Sequence, residues 1–319
     1  MAKYLVTGAA GFIGSNLVRV LLDRGETVIG LDNLSNGFRH NLTYATDHKN
    51  NDLFTFIEGD IRDLSTCFRA AEGVDYILHQ AALGSVPRSL TDPVLYDDNN
   101  IRGTLNMLEA AKKVKVKRFV FASSSSAYGD TPTLPKIETM ILRPKSPYAV
   151  NKVVGEYYCN VYWEQFQVPT IAFRYFNIFG PQQDPNSQYS AVIPLFVGAS
   201  YRNESPIIFS DGNQTRDFTY IDNVIHANLN ACYIDTKYCG EVFNIGCGDR
   251  ISVNELASSI MDIMGKSIEC DYRPARAGDV RDSLASIEKA RKAGIIEHTV
   301  DWQDGLKQTV EWFLSSDIL

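Results

Sequence analysis

The sequence lacks metal-binding spacing. Its six cysteines (67, 159, 232, 239, 247 and 270) form no C-x-x-C pair, and its five histidines supply no partner at ligand spacing. That argues against a zinc module or a disulfide scaffold and implies no metal; the thiols are expected to be reduced and mostly buried. Positive charge is in deficit too. The 31 basic residues against 38 acidic ones give a net charge of −7, the wrong sign for following a phosphate backbone, so nucleic acid is not an expected partner. No apolar run reaches the roughly 18 residues of a bilayer span, so no membrane association is expected. Fixed-period repeats and low-complexity stretches are also missing, which argues against a solenoid. Met1-Ala2-Lys3 enters a strand-like run at once, with no signal-peptide apolar core, and a cytoplasmic location is expected.

What is present is an ordinary globular composition, 45% hydrophobic and 22% charged over 319 residues. Tyr4-Val6, Thr27-Leu31, Leu53-Ile57, Tyr76-Leu78, Phe119-Phe121 and Thr170-Phe173 are apolar throughout rather than alternating, the mark of strands buried on both faces. Between them Ile13, Leu17 and Leu21, and later Leu105, Leu108 and Ala111, recur at helical spacing. Strand and helix in alternation imply a parallel sheet covered on both sides, a Rossmann-type doubly wound α/β fold. After residue 177 the rhythm gives way to Pro-, Gln- and Asn-rich loops. The expected division is 1–177 for a dinucleotide-binding domain, with a return of the chain around 215–246, and 178–319 for a smaller α/β lobe. The basic stretch Lys112–Arg118 falls where a helix should end, which suits the helix dipole.

Directly after the first strand stands Gly8-Ala9-Ala10-Gly11-Phe12-Ile13-Gly14. Glycines there let backbone N–H groups approach a pyrophosphate at the start of the following helix. Asp32 ends the second strand, where a carboxylate accepts from a ribose hydroxyl and repels the extra phosphate of NADP. The expected cofactor is therefore NAD. Asp60-Ile61, after the third strand, would flank the adenine, although such an Asp also serves as a helix cap.

Tyr148 and Lys152 stand at i and i+4 on a helix that Ser146 can cap and Pro147 can begin, so both lie on one face. An ammonium near a phenol favours the phenolate, as would a cationic nicotinamide, and such a tyrosine serves as a general base for a hydroxyl. Ser123-Ser124-Ser125-Ser126 ends the fifth strand on the ligand side of a parallel sheet.

Together these motifs resemble the extended short-chain dehydrogenase/reductase family along essentially the whole chain. The matching stretches include Gly8 to Gly14, Asp32-Asn33, Asp60-Ile61, His79-Gln80-Ala81-Ala82, Asn99-Asn100, Tyr148/Lys152 and Arg174-Tyr175-Phe176-Asn177. Within the family the chain most resembles UDP-N-acetylglucosamine 4-epimerases, on Ala81 to Ser89, Tyr128-Gly129-Asp130, Ser146 to Val150, Gln183 to Asn186 and Ala191 to Pro194. Related dehydratases and decarboxylases carry a carboxylate just past the fifth strand. This chain has Ser124-Ser125-Ser126-Ala127-Tyr128 there.

The resemblance implies Ser124, Tyr148 and Lys152 as catalytic residues, with Ser125 the alternative to Ser124 for holding the sugar 4-hydroxyl. It implies NAD contacts at Gly8, Gly11, Phe12, Ile13, Gly14, Asp32, Asn33, Asp60, Ile61, Gln80, Ala81, Ala82, Asn99, Tyr148, Lys152 and Tyr175. Asn177 and Arg216 would hold the diphosphate of a UDP-sugar, with Arg276 and Asp279 near the uridine; Ile208-Phe209 reads equally as an apolar bracket for uracil or as a core strand. Gly84, Ser85, Gln183 and Val192 would border the hexose, and Ser283, small where epimerases restricted to the unacetylated sugar carry Tyr, would leave room for an N-acetyl group. A homodimer through a four-helix bundle of about 93–113 and 148–165 is also implied. The implied activity is interconversion of UDP-GlcNAc and UDP-GalNAc, with UDP-Glc and UDP-Gal also accepted. The alternatives are a UDP-uronic acid 4-epimerase and, more distantly, a non-catalytic dinucleotide sensor.

Overall fold

The structure, a computed structural model, describes residues 1–184, 192–275 and 281–316. Seven parallel strands form its central sheet: β1 (Lys3–Thr7), β2 (Thr27–Asp32), β3 (Phe54–Glu58), β4 (Tyr76–His79), β5 (Arg118–Ser124), β6 (Thr170–Tyr175) and Val242–Ile245. Their spatial order is Val242–Ile245, β6, β5, β4, β1, β2, β3. Val6 pairs with Gly30 on one side and Leu78 on the other. The order reverses between β1 and β4, and a crevice opens beyond the carboxyl ends of the strands at such a switch point.

Buried β1 residues serve two cores in alternation. Tyr4 and Val6 join Leu17, Val18 and Leu21 of the helix Phe12–Asp23, whereas Leu5 joins Met107, Leu108 and Ala111 of the helix Gly103–Val114. The first core continues into the second lobe through Val224 and Ile225 of the helix Ile221–Ala231 and Leu256 and Ile260 of the helix Val253–Met264. Short strand pairs complete that lobe: Ile178–Phe179 with Thr219–Tyr220, Thr215–Arg216 with Ile251–Ser252, and Ile207–Phe209 with Asp271–Arg273.

Three details depart from the sequence reading. Leu53 belongs to a 3-10 turn rather than to β3. In place of a full helix, the β2–β3 connection contains the 3-10 turns Arg39–Leu42 and Asn51–Leu53 and the one-turn helix Thr43–Asp47, because few apolar side chains recur there at helical spacing. The segment expected as one helix over 93–113 is Pro93–Asp97, a π-helical turn Asp98–Arg102, then Gly103–Val114. The wide turn buries two consecutive asparagines, Asn99 and Asn100.

The basic stretch is structural. Lys115 ends its helix in the left-handed region (φ 55°), Lys117 pairs with Asp75 at 2.9 Å, and buried Arg118 donates to Ile234 O at 2.6 Å. All six cysteines are free thiols, four of them buried. Among the described residues no helix is long and apolar enough to cross a membrane, and no His, Cys, Asp and Glu cluster could hold a metal.

Candidate active site

A cleft of about 330 Å³ opens at the β1/β4 switch point, lined by the glycine loop, the end of β2 and the segment after β4. Twelve of the expected cofactor residues border it: Gly8, Gly11, Phe12, Ile13, Gly14, Asp32, Asn33, Ile61, Gln80, Ala81, Ala82 and Asn99. Gly84, expected at the sugar, lines it as well. Glycine is required at two of these positions. A Cβ on Gly14 would sit 2.0 Å from Gly8 O, and Gly8 itself has φ +68° with a would-be Cβ 2.9 Å from Ala81 N. Asp32 accepts from Ala10 N at 2.9 Å and from Leu34 N at 2.8 Å, one bond on each oxygen, which leaves lone pairs for a diol. Asp60 instead turns to Arg62 (2.8 Å) and Asn33 (2.8 Å), and the Arg62 guanidinium brings its carboxyl down to about 2. Tyr175 donates to Gln80 Oε1 at 3.2 Å and accepts from Asn228 at 2.8 Å, which fixes Gln80 at the cleft wall.

The expected catalytic groups meet at the end of β5. Ser146 caps the helix Pro147–Phe166 by accepting from Ala149 N at 3.2 Å, with Pro147 in the first turn. Lys152 is buried and Tyr148, one turn before it, is half-buried, with Lys152 Nζ 5.8 Å from the Tyr148 ring centroid. Ser124 lies close enough to the Tyr148 phenol to favour its ionised form and also accepts from Ser126 N at 3.2 Å, while Ser125 starts the 3-10 turn that follows. Lys152 Nζ donates to Ala122 O at 2.7 Å.

One electrostatic expectation is corrected here. Lys152 does not pull the phenol down within the protein alone. Burial raises Tyr148, the Ser124 contact opposes that rise, and burial also lowers Lys152 to about 7. At the phenol, burial outweighs the Ser124 contact.

A third cluster gathers the expected diphosphate residues. Asn177, at φ +34°, donates from Nδ2 to Asp217 O at 2.9 Å and to Ser283 Oγ at 3.0 Å. Arg216 donates from Nη1 to Thr215 O at 2.9 Å and Arg281 O at 2.8 Å. Ser85 caps the helix Val86–Thr91, accepting from Arg88 N at 3.2 Å. Gln183 donates to Ile178 O at 3.2 Å, and its Oε1 is buried without a partner among the described residues. Val192 begins the helix Val192–Tyr201, and Phe209 ends the strand that pairs with Asp271–Arg273. Arg276 and Asp279 lie outside the described residues.

Residues 4–246 match the model of the NAD dependent epimerase/dehydratase family. The chain belongs to that family. A UDP-glucose 4-epimerase of Mycolicibacterium smegmatis is 38% identical over 98% of each chain. Among solved structures, a UDP-N-acetylglucosamine 4-epimerase from Methanobrevibacter ruminantium M1 in complex with UDP-N-acetylmuramic acid is 38% identical (TM-score 0.92, 98% of each chain). A UDP-glucuronic acid 4-epimerase from Bacillus cereus, with UDP-glucuronic acid and NAD, is 33% identical (TM-score 0.89, 98% of this chain and 99% of that one).

NAD is the cofactor of this epimerase/dehydratase, and the cleft fits it. Gly11 begins the helix Phe12–Asp23 with no side-chain cap, leaving first-turn N–H groups for a pyrophosphate. The sequence reading missed Ser35, Asn36 and Gly37 on the cleft wall. Their signal was the small-residue turn just past Asp32, where a Cβ on Gly37 would meet Ala10 at 2.8 Å.

Proposed function

We propose that this chain is a 4-epimerase of UDP-sugars that interconverts UDP-GlcNAc and UDP-GalNAc and also accepts UDP-Glc and UDP-Gal. One observation carries the reading. Tyr148, Ser124 and Lys152 converge at the end of β5 with only serine, alanine and tyrosine in the adjoining turn, and the buried carboxylate closest in sequence to Lys152 on its helix, Glu156, is committed to Arg174 and Ser123. That set moves one proton and offers no second acid for elimination, so an oxidation that is simply reversed is the chemistry it serves.

NAD, held by the glycine loop and Asp32, would supply the hydride acceptor and donor for the sugar C4. Tyr148 accepts the proton of the 4-hydroxyl while Ser124 hydrogen-bonds the same oxygen, and Tyr148 returns that proton after the 4-keto sugar has turned over. Lys152, anchored on Ala122 O one turn after Tyr148, holds its amine near the phenol, where its protonated form favours the phenolate. Asn177 and Arg216 hold the diphosphate while the sugar turns, Arg by two parallel hydrogen bonds. In this reading residues 1–177, with the return of the chain that adds Val242–Ile245 to the sheet, form the NAD domain and supply Ser124, Tyr148 and Asn177 to the substrate, and the rest of 178–319 forms the UDP-sugar lobe.

The acetylated sugars are favoured by the small side chain of Ser283 beside Asn177. The competing substrate is a UDP-uronic acid, which the Bacillus cereus relative binds; Arg88 or Ser85, at the start of the helix Val86–Thr91, would meet its carboxylate. Subunits are proposed to pair through the helices bearing Val94 and Tyr157, apolar side chains that are 77% and 65% exposed. The test is to incubate purified protein with UDP-GlcNAc, UDP-Glc and UDP-GlcA without added cofactor. UDP-GalNAc should form fastest; turnover of UDP-GlcA alone would transfer the assignment to the uronic acid.

A further inference from the structure

Asp217 takes no part in the reaction above, yet it is fully buried, and two distant segments converge on its carboxylate. One oxygen accepts from Cys247 N at 2.8 Å, and the other from Gly248 N at 3.2 Å and Ala285 N at 3.0 Å. The Asp217 peptide closes the arrangement. Its carbonyl accepts from Asn177 Nδ2 at 2.9 Å, and its N–H reaches Ser283 Oγ at 3.4 Å, the same hydroxyl that accepts from Asn177 at 3.0 Å.

The packing leaves no slack, since a Cβ on Gly246 would stand 2.9 Å from Asp217 Oδ2. Burying a carboxylate is costly, and a buried charge is weak evidence for stability. An ionised carboxylate does offer acceptors only, enough for all three N–H groups at once. Asn177 and Arg216, the residues assigned to the diphosphate, and Ser283, assigned to the sugar beside them, all contact or adjoin this one residue.

We propose that Asp217 is a positioning residue for the nucleoside diphosphate: it locks the 247–248 and 283–285 segments against Asn177 and Arg216 and so sets affinity for UDP without touching it. The proposal rests on the UDP-sugar reading. Asp217→Asn keeps the size but turns an N–H₂ donor toward backbone donors, so at least one of the three contacts is lost.

The test is calorimetric titration of NAD-loaded wild type and Asp217→Asn with UDP, alongside steady-state kinetics. The expected result is a Kd for UDP raised about ten-fold, a matching fall in kcat/KM carried mainly by KM, and bound NAD retained. An unchanged Kd overturns the proposal, and so does loss of NAD in step with UDP affinity, which would assign Asp217 to general folding. Failure of the wild type to bind UDP overturns the UDP-sugar reading as well. If Asp217→Asn does not fold, Ser283→Ala carries the test by removing only the hydroxyl shared by Asp217 and Asn177. A Kd raised three-fold or more is expected there, and an unchanged value overturns the proposal.

Discussion

Lys152 donates from Nζ to the carbonyl oxygen of Ala122 at 2.7 Å, which pins the helix of the candidate base to the end of the strand bearing Ser124. That bond fixes where Tyr148 stands, one turn before Lys152. Tyr148→Phe keeps the ring and its packing but cannot take a proton. Turnover should fall by about 10³ or more with UDP binding unchanged, as read by single-turnover kinetics and calorimetry. Activity within ten-fold of wild type would remove Tyr148 as the base.

His79 gives a pH prediction. The ring is buried between Thr7 (2.7 Å to Nδ1) and Thr104 (3.1 Å to Nε2), and burial, helped by the Lys152 charge, lowers its pKa to about 3 from 6.5. The unfolded chain therefore binds a proton that the folded chain refuses between pH 6.5 and 3, and stability falls as pH drops through that window. His79→Gln should lose stability less steeply on acidification, the slopes differing by up to about 1.4 kcal/mol per pH unit below pH 6. Urea unfolding at pH 7, 6 and 5 reads this, and parallel slopes would contradict it.

Glu156 and Arg174 form an ion pair in which both side chains are 4% exposed, joined by bonds of 2.9 and 2.7 Å. Glu156→Ala leaves the guanidinium buried and uncompensated, and should cost about 3–5 kcal/mol of unfolding free energy. A loss below about 1 kcal/mol in chemical denaturation would mean that water or a neighbouring acceptor replaces the carboxylate.

Specificity is testable at Ser283, whose hydroxyl accepts from Asn177. Ser283→Tyr should slow UDP-GlcNAc and UDP-GalNAc far more than UDP-Glc and UDP-Gal, because a packed pocket cannot absorb added atoms whereas one lost methylene contact is worth only about 1–3 kcal/mol. Equal slowing of both classes would show that residue 283 is not the gate.

The sheet and the cofactor cradle were legible because their signals are local: unbroken apolar runs, glycines next to a strand, a carboxylate at the end of the next one. The Tyr148 helix was equally plain from Ser146-Pro147 and the i, i+4 pair. What the sequence hid depends on tertiary contact. Asn244 interrupts the apolar pattern of the edge strand Val242–Ile245 because it receives the Tyr128 hydroxyl at 2.6 Å and donates to Lys136 O at 2.9 Å. Asp217 looks like the surface partner of Arg216, yet its acceptors serve backbone groups 30 and more residues away. The balance at Tyr148 was hidden for the same reason, since spacing reveals proximity but not desolvation.

The central claim is a transient oxidation at C4 in which the carbon-bound hydrogen leaves and comes back. NMR of UDP-GlcNAc incubated in D₂O with purified protein and no added cofactor tests it most directly. The account predicts UDP-GalNAc with inverted C4 that retains its original hydrogen and carries no deuterium there. Deuterium at C4 would contradict the account, and so would the absence of any C4-inverted product from UDP-GlcNAc, UDP-Glc or UDP-GlcA.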